Sequence, residues 1–193
     1  MSDPKDDLVH YLYAARDAMI WKLDGLGEYD LRRPLVPTGT NLLGLVKHVA
    51  IVTAGYFGDT FDRPFPEVAP WLSDEAEDNA DMWATPEESR ADILGLWERA
   101  WAHADETITA LPLDAIGHVP WWNPKTNEVT LHKILCHMTA EAQRHAGHAD
   151  LVRELIDGAI GLRAGVSNLP STDAGYWADY RDRVEAAART FLA

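Results

Sequence analysis

The stretch His137–Leu155, HMTAEAQRHAGHADLVREL, governs how the rest of the chain is read. On a helix, His137, Glu141, His145 and His148 project within about 80° of one another. Ile134, Met138, Ala142, Val152, Leu155 and Ile156 fall on the same side, so the four polar groups stand inside the stripe that should face a core. Imidazoles and a carboxylate placed there lose hydration and must be compensated. A bound cation would compensate them.

The 193 residues carry a formal net charge of −14 and are 47% hydrophobic. That is enough apolar material for one substantial core, and a single domain over 1–193 is the simplest organisation. The acidity argues against nucleic acid or an anionic membrane as partner, since both need a basic surface. No apolar run approaches a membrane span, and the opening MSDPKDDLVHYL has acids where a signal peptide is basic, which points to a cytoplasmic protein. The one cysteine, Cys136, permits no internal disulfide and reads as a small core residue in a reducing compartment.

In chain order, a first helix is predicted from Pro4 to Leu26, capped by Asp3, with Leu8, Leu12, Ala15 and Met19 as its core stripe. Glu28–Gly39, with Pro34 and Pro37, reads as a connector. Its Arg32 and Arg33 either grip a ligand carboxylate or pair with the protein's own acids, and so acidic a chain favours the second. A second helix follows Thr40 or Asn41 to near Asp62, with His48 at the flank of its apolar face and Gly44 one turn away. Pro64, Pro66 and Pro70 predict an extended loop, and the acidic run DEAEDNAD a solvated face without calcium-loop spacing. Thr85, Pro86 and Glu88 form a capping-box signature for a third helix that stops before Pro112, with His103 exposed. Leu113–Glu128 reads as a loop in which Trp121 and Trp122 either wall a pocket or fill space between helices. Thr130 can cap the key helix, which stops near Gly158, and Tyr176, Tyr180, Val184, Ala187 and Phe191 mark a helix in the tail. No strand pattern stands out. The expected fold is all-α, four long helices around one core plus a C-terminal helix.

The spacing Glu141-x-x-x-His145 puts an oxygen and a nitrogen donor one turn apart on one face, and His48 can add a second nitrogen from another helix. Three protein ligands with an open position make a catalytic type of site, because a thiol or water bound there ionises near neutral pH. His148 on the same face can be a fourth ligand, a base or a group that orients a ligand; His137 reads as orienting or core.

The segments PTGTNLLGLVKHVA and HMTAEAQRHAGHADLVRELIDG and the tail WADYRDRVEAAA resemble the DinB-like superfamily, specifically its actinobacterial branch related to mycothiol-dependent enzymes of the maleylpyruvate isomerase type. The resemblance implies an antiparallel four-helix bundle, a divalent metal near one end and, in many members, a homodimer. It also implies metal ligands at His48, Glu141 and His145. Glutamate at the first position of the later pair matches the mycothiol-dependent branch, which implies S-transfer or isomerisation with a low-molecular-weight thiol as nucleophile and an electrophilic small molecule as its partner. His148 is the departure, because it crowds a position meant to stay open. Zinc leads, with nickel, iron and manganese as alternatives, because mixed imidazole and carboxylate suits all four. The rival reading is a non-enzymatic bundle with a structural ion.

Overall fold

In the computed structural model, which describes residues 3–73 and 75–192, Asp3 caps the first helix, α1 (Pro4–Ile20), by accepting the Lys5 N–H at 2.9 Å. The chain falls into two units, Met1–Ile160 and Gly161–Ala193. In the first, α1 is shorter than expected, because its last turn tightens into a 3-10 turn at Trp21–Leu23. The connector then holds a short helix, α2 (Glu28–Arg32). The prolines do not forbid it, since each restricts only its predecessor and Arg33 is the first residue so affected. Arg32 pairs with Glu28 and Arg33 with Asp30, both at 2.9 Å, so the arginines serve the protein's own acids.

The next helix, α3 (Leu42–Phe57), is capped by Asn41, which accepts the Gly44 N–H at 2.8 Å. It ends at Gly58 rather than near Asp62, giving way to a 3-10 turn at Asp59–Phe61. Every residue of α3 is buried except His48 and Val52, so this central helix has one open stripe. The proline-rich segment is not wholly extended: it contains a 3-10 turn at Pro66–Val68 and a single turn, α4 (Ala69–Leu72). Asp74, first in the acidic run, lies outside the described residues.

The long helix α5 (Arg90–Ala110) begins later than Thr85 because a second capping box, Ser89 with Asp92, takes over. Glu88 still accepts the Thr85 N–H at 2.7 Å, but it closes a turn and turns its carboxylate to Lys47. Two three-residue strands follow, β1 (Ile116–His118) and β2 (Glu128–Thr130), paired antiparallel with Gly117 opposite Val129. They correct the all-α expectation. Three residues are too few to show alternation, and β1 is held by tertiary approach: a Cβ at Gly117 would lie 2.4 Å from the Thr60 carbonyl oxygen. Thr130 caps α6 (Leu131–Asp157), accepting the Lys133 N–H at 3.2 Å, and Gly158 ends it with φ +75°, both as predicted.

The fold is thus mostly helical with a small two-stranded sheet. Within the first unit α3 packs on α5 and α6, and α1 packs on α6. The Tyr13 hydroxyl on α1 donates to Asp105 on α5 at 2.5 Å, and the same ring meets Trp101 edge-on. Leu12, Met19, Phe57, Ile93, Trp97, Ile134 and Met138 lie in the shared core. Buried cations tie the ends together: Lys22 Nζ meets Asp150 at 2.5 Å, and Arg153 donates to the Lys22 and Asp24 carbonyls at 2.7 and 2.8 Å. The apolar stripe of α6 is narrower than its sequence implies. Leu155 is 61% exposed, and Cys136 lies on the exposed side rather than in the core, because α1 and α3, the main partners of this helix in the first unit, cover its opposite side. No helix among the described residues is long and apolar enough to cross a membrane.

In the second unit Asp173 caps α7 (Ala174–Arg189), accepting the Gly175 N–H at 2.9 Å. The helix expected in the tail is present, ending before Phe191. Trp177 donates to the Ser171 carbonyl at 3.0 Å and meets Tyr176 and Tyr180 edge-on.

Candidate functional site

His48 on α3 and His145 on α6 lie edge to face with ring centroids 4.7 Å apart. Glu141, one turn before His145, places Oε2 3.7 Å from His145 Nε2. Of the three, His145 is buried, whereas His48 and Glu141 are partly open. The helices deliver these groups for a simple reason: α3 and α6 pack along their apolar faces, and His48 occupies the open stripe of α3.

Burial pushes the pKa of His145 down from 6.5 to about 4, reinforced by the neighbouring His48 and His148 and opposed by Glu141. The ring is therefore neutral at physiological pH, the state in which imidazole donates a lone pair. Its other nitrogen, Nδ1, lies 3.4 Å from Nδ1 of the exposed His148. His148 thus sits behind His145, away from the Nε2 edge that faces Glu141.

His48 is braced from a segment that the sequence marks only as acidic surface. Its Nδ1 lies 2.6 Å from Asp81 Oδ2. The His48 hydrogen bond, opposed by burial, holds the Asp81 carboxyl below its usual range, so the carboxylate accepts and Nδ1 carries the proton. Nε2 is left as the ring's donor atom. The buried Lys47 beside His48 fixes this segment, its Nζ donating to the Ala80 and Trp83 carbonyls at 2.7 and 2.9 Å and pairing with Glu88 at 2.8 Å. Gly44 admits the same segment. A Cβ there would fall 1.9 Å from the Met82 carbonyl oxygen, so the space beside it belongs to backbone and not to an ion or ligand. Asp81 and Lys47 are the residues that sequence reasoning missed. A lysine inside the apolar run LLGLVKHVA was the available signal.

Beyond His48 the open stripe of α3 leads to Tyr56, whose hydroxyl accepts from Trp121 Nε1 at 3.4 Å and Trp122 Nε1 at 3.2 Å. His137 packs against Tyr56 and Trp122, with centroids 4.6 and 5.3 Å away, and burial lowers its pKa. It belongs to this aromatic cluster, in line with the core alternative. Trp121 is 49% exposed and lines a cavity of about 740 Å³, whereas Trp122 is half-buried. His103, expected at the surface, is half-buried with Nε2 2.7 Å from the Arg63 carbonyl oxygen.

Neutral imidazole with carboxylate is a donor set suited to a borderline divalent cation. The Glu141–His145 separation is compatible with two donors sharing one ion, at bonds of roughly 2.0–2.2 Å. Among the described residues, however, no three His, Cys, Asp or Glu side chains are already gathered about one point. The donor types, taken singly, fit a divalent cation.

Comparison with known proteins adds family and fold. The crystal structure of a conserved protein from Enterococcus faecalis superposes with a TM-score of 0.63 at 16% identity, covering 82% of this chain and all of that one, a likeness of fold alone. No curated protein matches the chain. The model of the family described as Mycothiol-S-transferase matches residues 7–158, from within the first turn of α1 to the Gly158 stop after α6. With His48, Glu141 and His145 all inside that match, the chain belongs to the mycothiol S-transferase family, within the DinB-like superfamily.

Proposed function

We propose that the protein is a divalent-metal-dependent thiol S-transferase in which His48, Glu141 and His145 hold the ion, and that α1, α3, α5 and α6 act as the four helices of a bundle around it. The observation that carries this reading is the approach of two imidazoles from separate helices, 4.7 Å between centroids, beside a carboxylate 3.7 Å from one of them. An ion bound there lowers the pKa of a thiol at its open position and so supplies a nucleophile near neutral pH.

The chain's own residues prepare that chemistry. Burial keeps His145 neutral and ready to donate. Asp81 holds the proton on His48 Nδ1 and presents Nε2, and His148 does the same for His145 by accepting from its Nδ1. His148 is therefore a positioning residue rather than a fourth ligand, which leaves the open position clear. Glu141, with 30% of its side chain exposed, has the freedom to close the trio. Trp121 and Trp122 wall the approach and limit water around the reacting sulfur. The family match supports the thiol, mycothiol or a close analogue, as nucleophile and an electrophilic small molecule as acceptor.

The test is elemental analysis of untagged protein together with Glu141→Ala and His48→Ala. Wild type should carry one divalent ion per chain and consume mycothiol in the presence of an electrophile. The variants should lose ion and turnover while keeping their melting temperature. A large fall in stability on losing the ion would favour a structural ion instead. Wild type without metal would defeat the reading outright.

A further inference from the structure

The cavity of about 740 Å³ next to Tyr56 shares Trp121 with the approach to the proposed ion site, and its other lining residues have no part in the chemistry proposed above. Part of its lining is apolar, from Val52, Pro64, Pro120 and Trp121. It also carries two acids, Asp59 at the start of the 3-10 turn that follows α3 and Asp62 just after that turn. None of the described lining residues is basic, and Arg63, next in sequence, turns its Nε to Thr107 at 3.0 Å. Neither carboxylate accepts a side-chain hydrogen bond from the described residues. Tyr56 accepts from both indoles, which leaves its own proton to donate.

Such a lining suits a molecule with many hydroxyl donors, an apolar C–H face and no negative charge. Free carboxylates accept strongly from hydroxyl groups, an indole face covers the C–H face of a sugar ring, and two acids in a partly desolvated pocket repel anions. Position agrees with composition. Val52 and Tyr56 stand one and two turns along α3 from His48, on the order of 6 to 12 Å away. That is the reach of a cysteine joined through an amide to a sugar.

Resting on the thiol S-transferase reading above, we propose that this cavity seats the neutral polyol headgroup of the thiol, with Trp121 against its ring and Asp59 and Asp62 accepting from its hydroxyls. The two acids also make the site reject anionic thiols. Mycothiol, an acylated cysteine on a glucosamine–inositol unit, carries no net charge, whereas glutathione carries two carboxylates. Selection between thiols is thus made beside Tyr56, away from the atoms that activate the sulfur.

Titration calorimetry on the metal-loaded full chain tests this, with the thiol-free and neutral N-acetylglucosaminyl–inositol fragment as probe and glutathione as the anionic comparison. The fragment should bind wild type and His48→Ala alike, because the cavity does not need the metal. Trp121→Ala should weaken it about tenfold or more, as expected for the loss of one good stacking surface. Asp59→Asn with Asp62→Asn should narrow the preference for mycothiol over glutathione by about tenfold. Circular dichroism confirms that each variant is folded, and Trp121, being half-exposed, is a safe site to truncate.

Absence of saturable fragment binding to wild type overturns the proposal. Unchanged affinity in Trp121→Ala with unchanged thiol preference in the double variant does so equally. The two readings fail separately. Fragment binding without metal-dependent thiol consumption would leave the cavity standing and remove the transferase. Turnover with mycothiol that ignores all three substitutions would do the reverse.

Discussion

His48 Nδ1 and Asp81 Oδ2 meet at 2.6 Å across 33 residues of chain, joining the buried helix α3 to a surface turn. The pair sets which nitrogen of His48 is protonated, and so which one is free to donate. Asp81→Ala should lower affinity for the divalent ion about 10- to 100-fold, with the melting temperature changed by only a few degrees. Competition against a chelator of known affinity measures this, and an affinity equal to wild type would remove Asp81 from the site.

Gly44→Ala should act on the same pair from the other side. Its new Cβ would meet the Met82 carbonyl oxygen at 1.9 Å, and a backbone atom cannot rotate away. The expected cost is about 1–3 kcal/mol by denaturant titration. The displaced turn carries Asp81, so metal affinity should fall as well. A variant as stable as wild type would show that the turn yields freely.

Lys47→Met should be severe, because it leaves the Glu88 carboxylate and the Ala80 and Trp83 carbonyls without their shared donor. The expected loss is about 3–5 kcal/mol. Combining it with Glu88→Gln should recover part of that loss, which a double-mutant cycle reads directly. Strict additivity of the two changes would mean that the pair is not coupled.

The pKa of His145 predicts how the metal-free protein responds to acid. Its folded value, about 4, lies below the ordinary 6.5, so between those values the unfolded chain binds the proton and the folded chain does not. Stability from this group is complete above pH ~6.5 and is lost as pH falls toward ~4, by about 3 kcal/mol in all. His145→Gln should flatten that part of the pH profile. An identical slope in the variant would assign the effect to other groups.

Much of the helical skeleton was legible because capping and hydrophobic period act over a few residues. Asp3, Asn41, Thr130 and Gly158 bound their helices as read. The reading slipped where two local signals competed. Thr85 and Glu88 make a capping pattern, yet α5 begins after Ser89, because Glu88 is drawn to Lys47 on another helix. The strands β1 and β2 left no trace, since their pairing depends on the 3-10 turn packed against Gly117. Cys136 and Leu155 are apolar in character but face away from α1 and α3, and no periodicity tells which part of a wide stripe will find a partner.

The one-face column of His137, Glu141, His145 and His148 followed from helical geometry alone, because the angle between successive residues is fixed by the backbone. Which members of that column meet His48, which turn to an aromatic cluster and which stand behind were decided only when α3 packed on α6. Tertiary contacts of other segments with α3, not any motif, brought Asp81 to His48 and shaped the cavity beside Tyr56. Sequence sets the direction of a side chain on its own helix; contact between helices, governed by how buried faces interlock, sets what it touches.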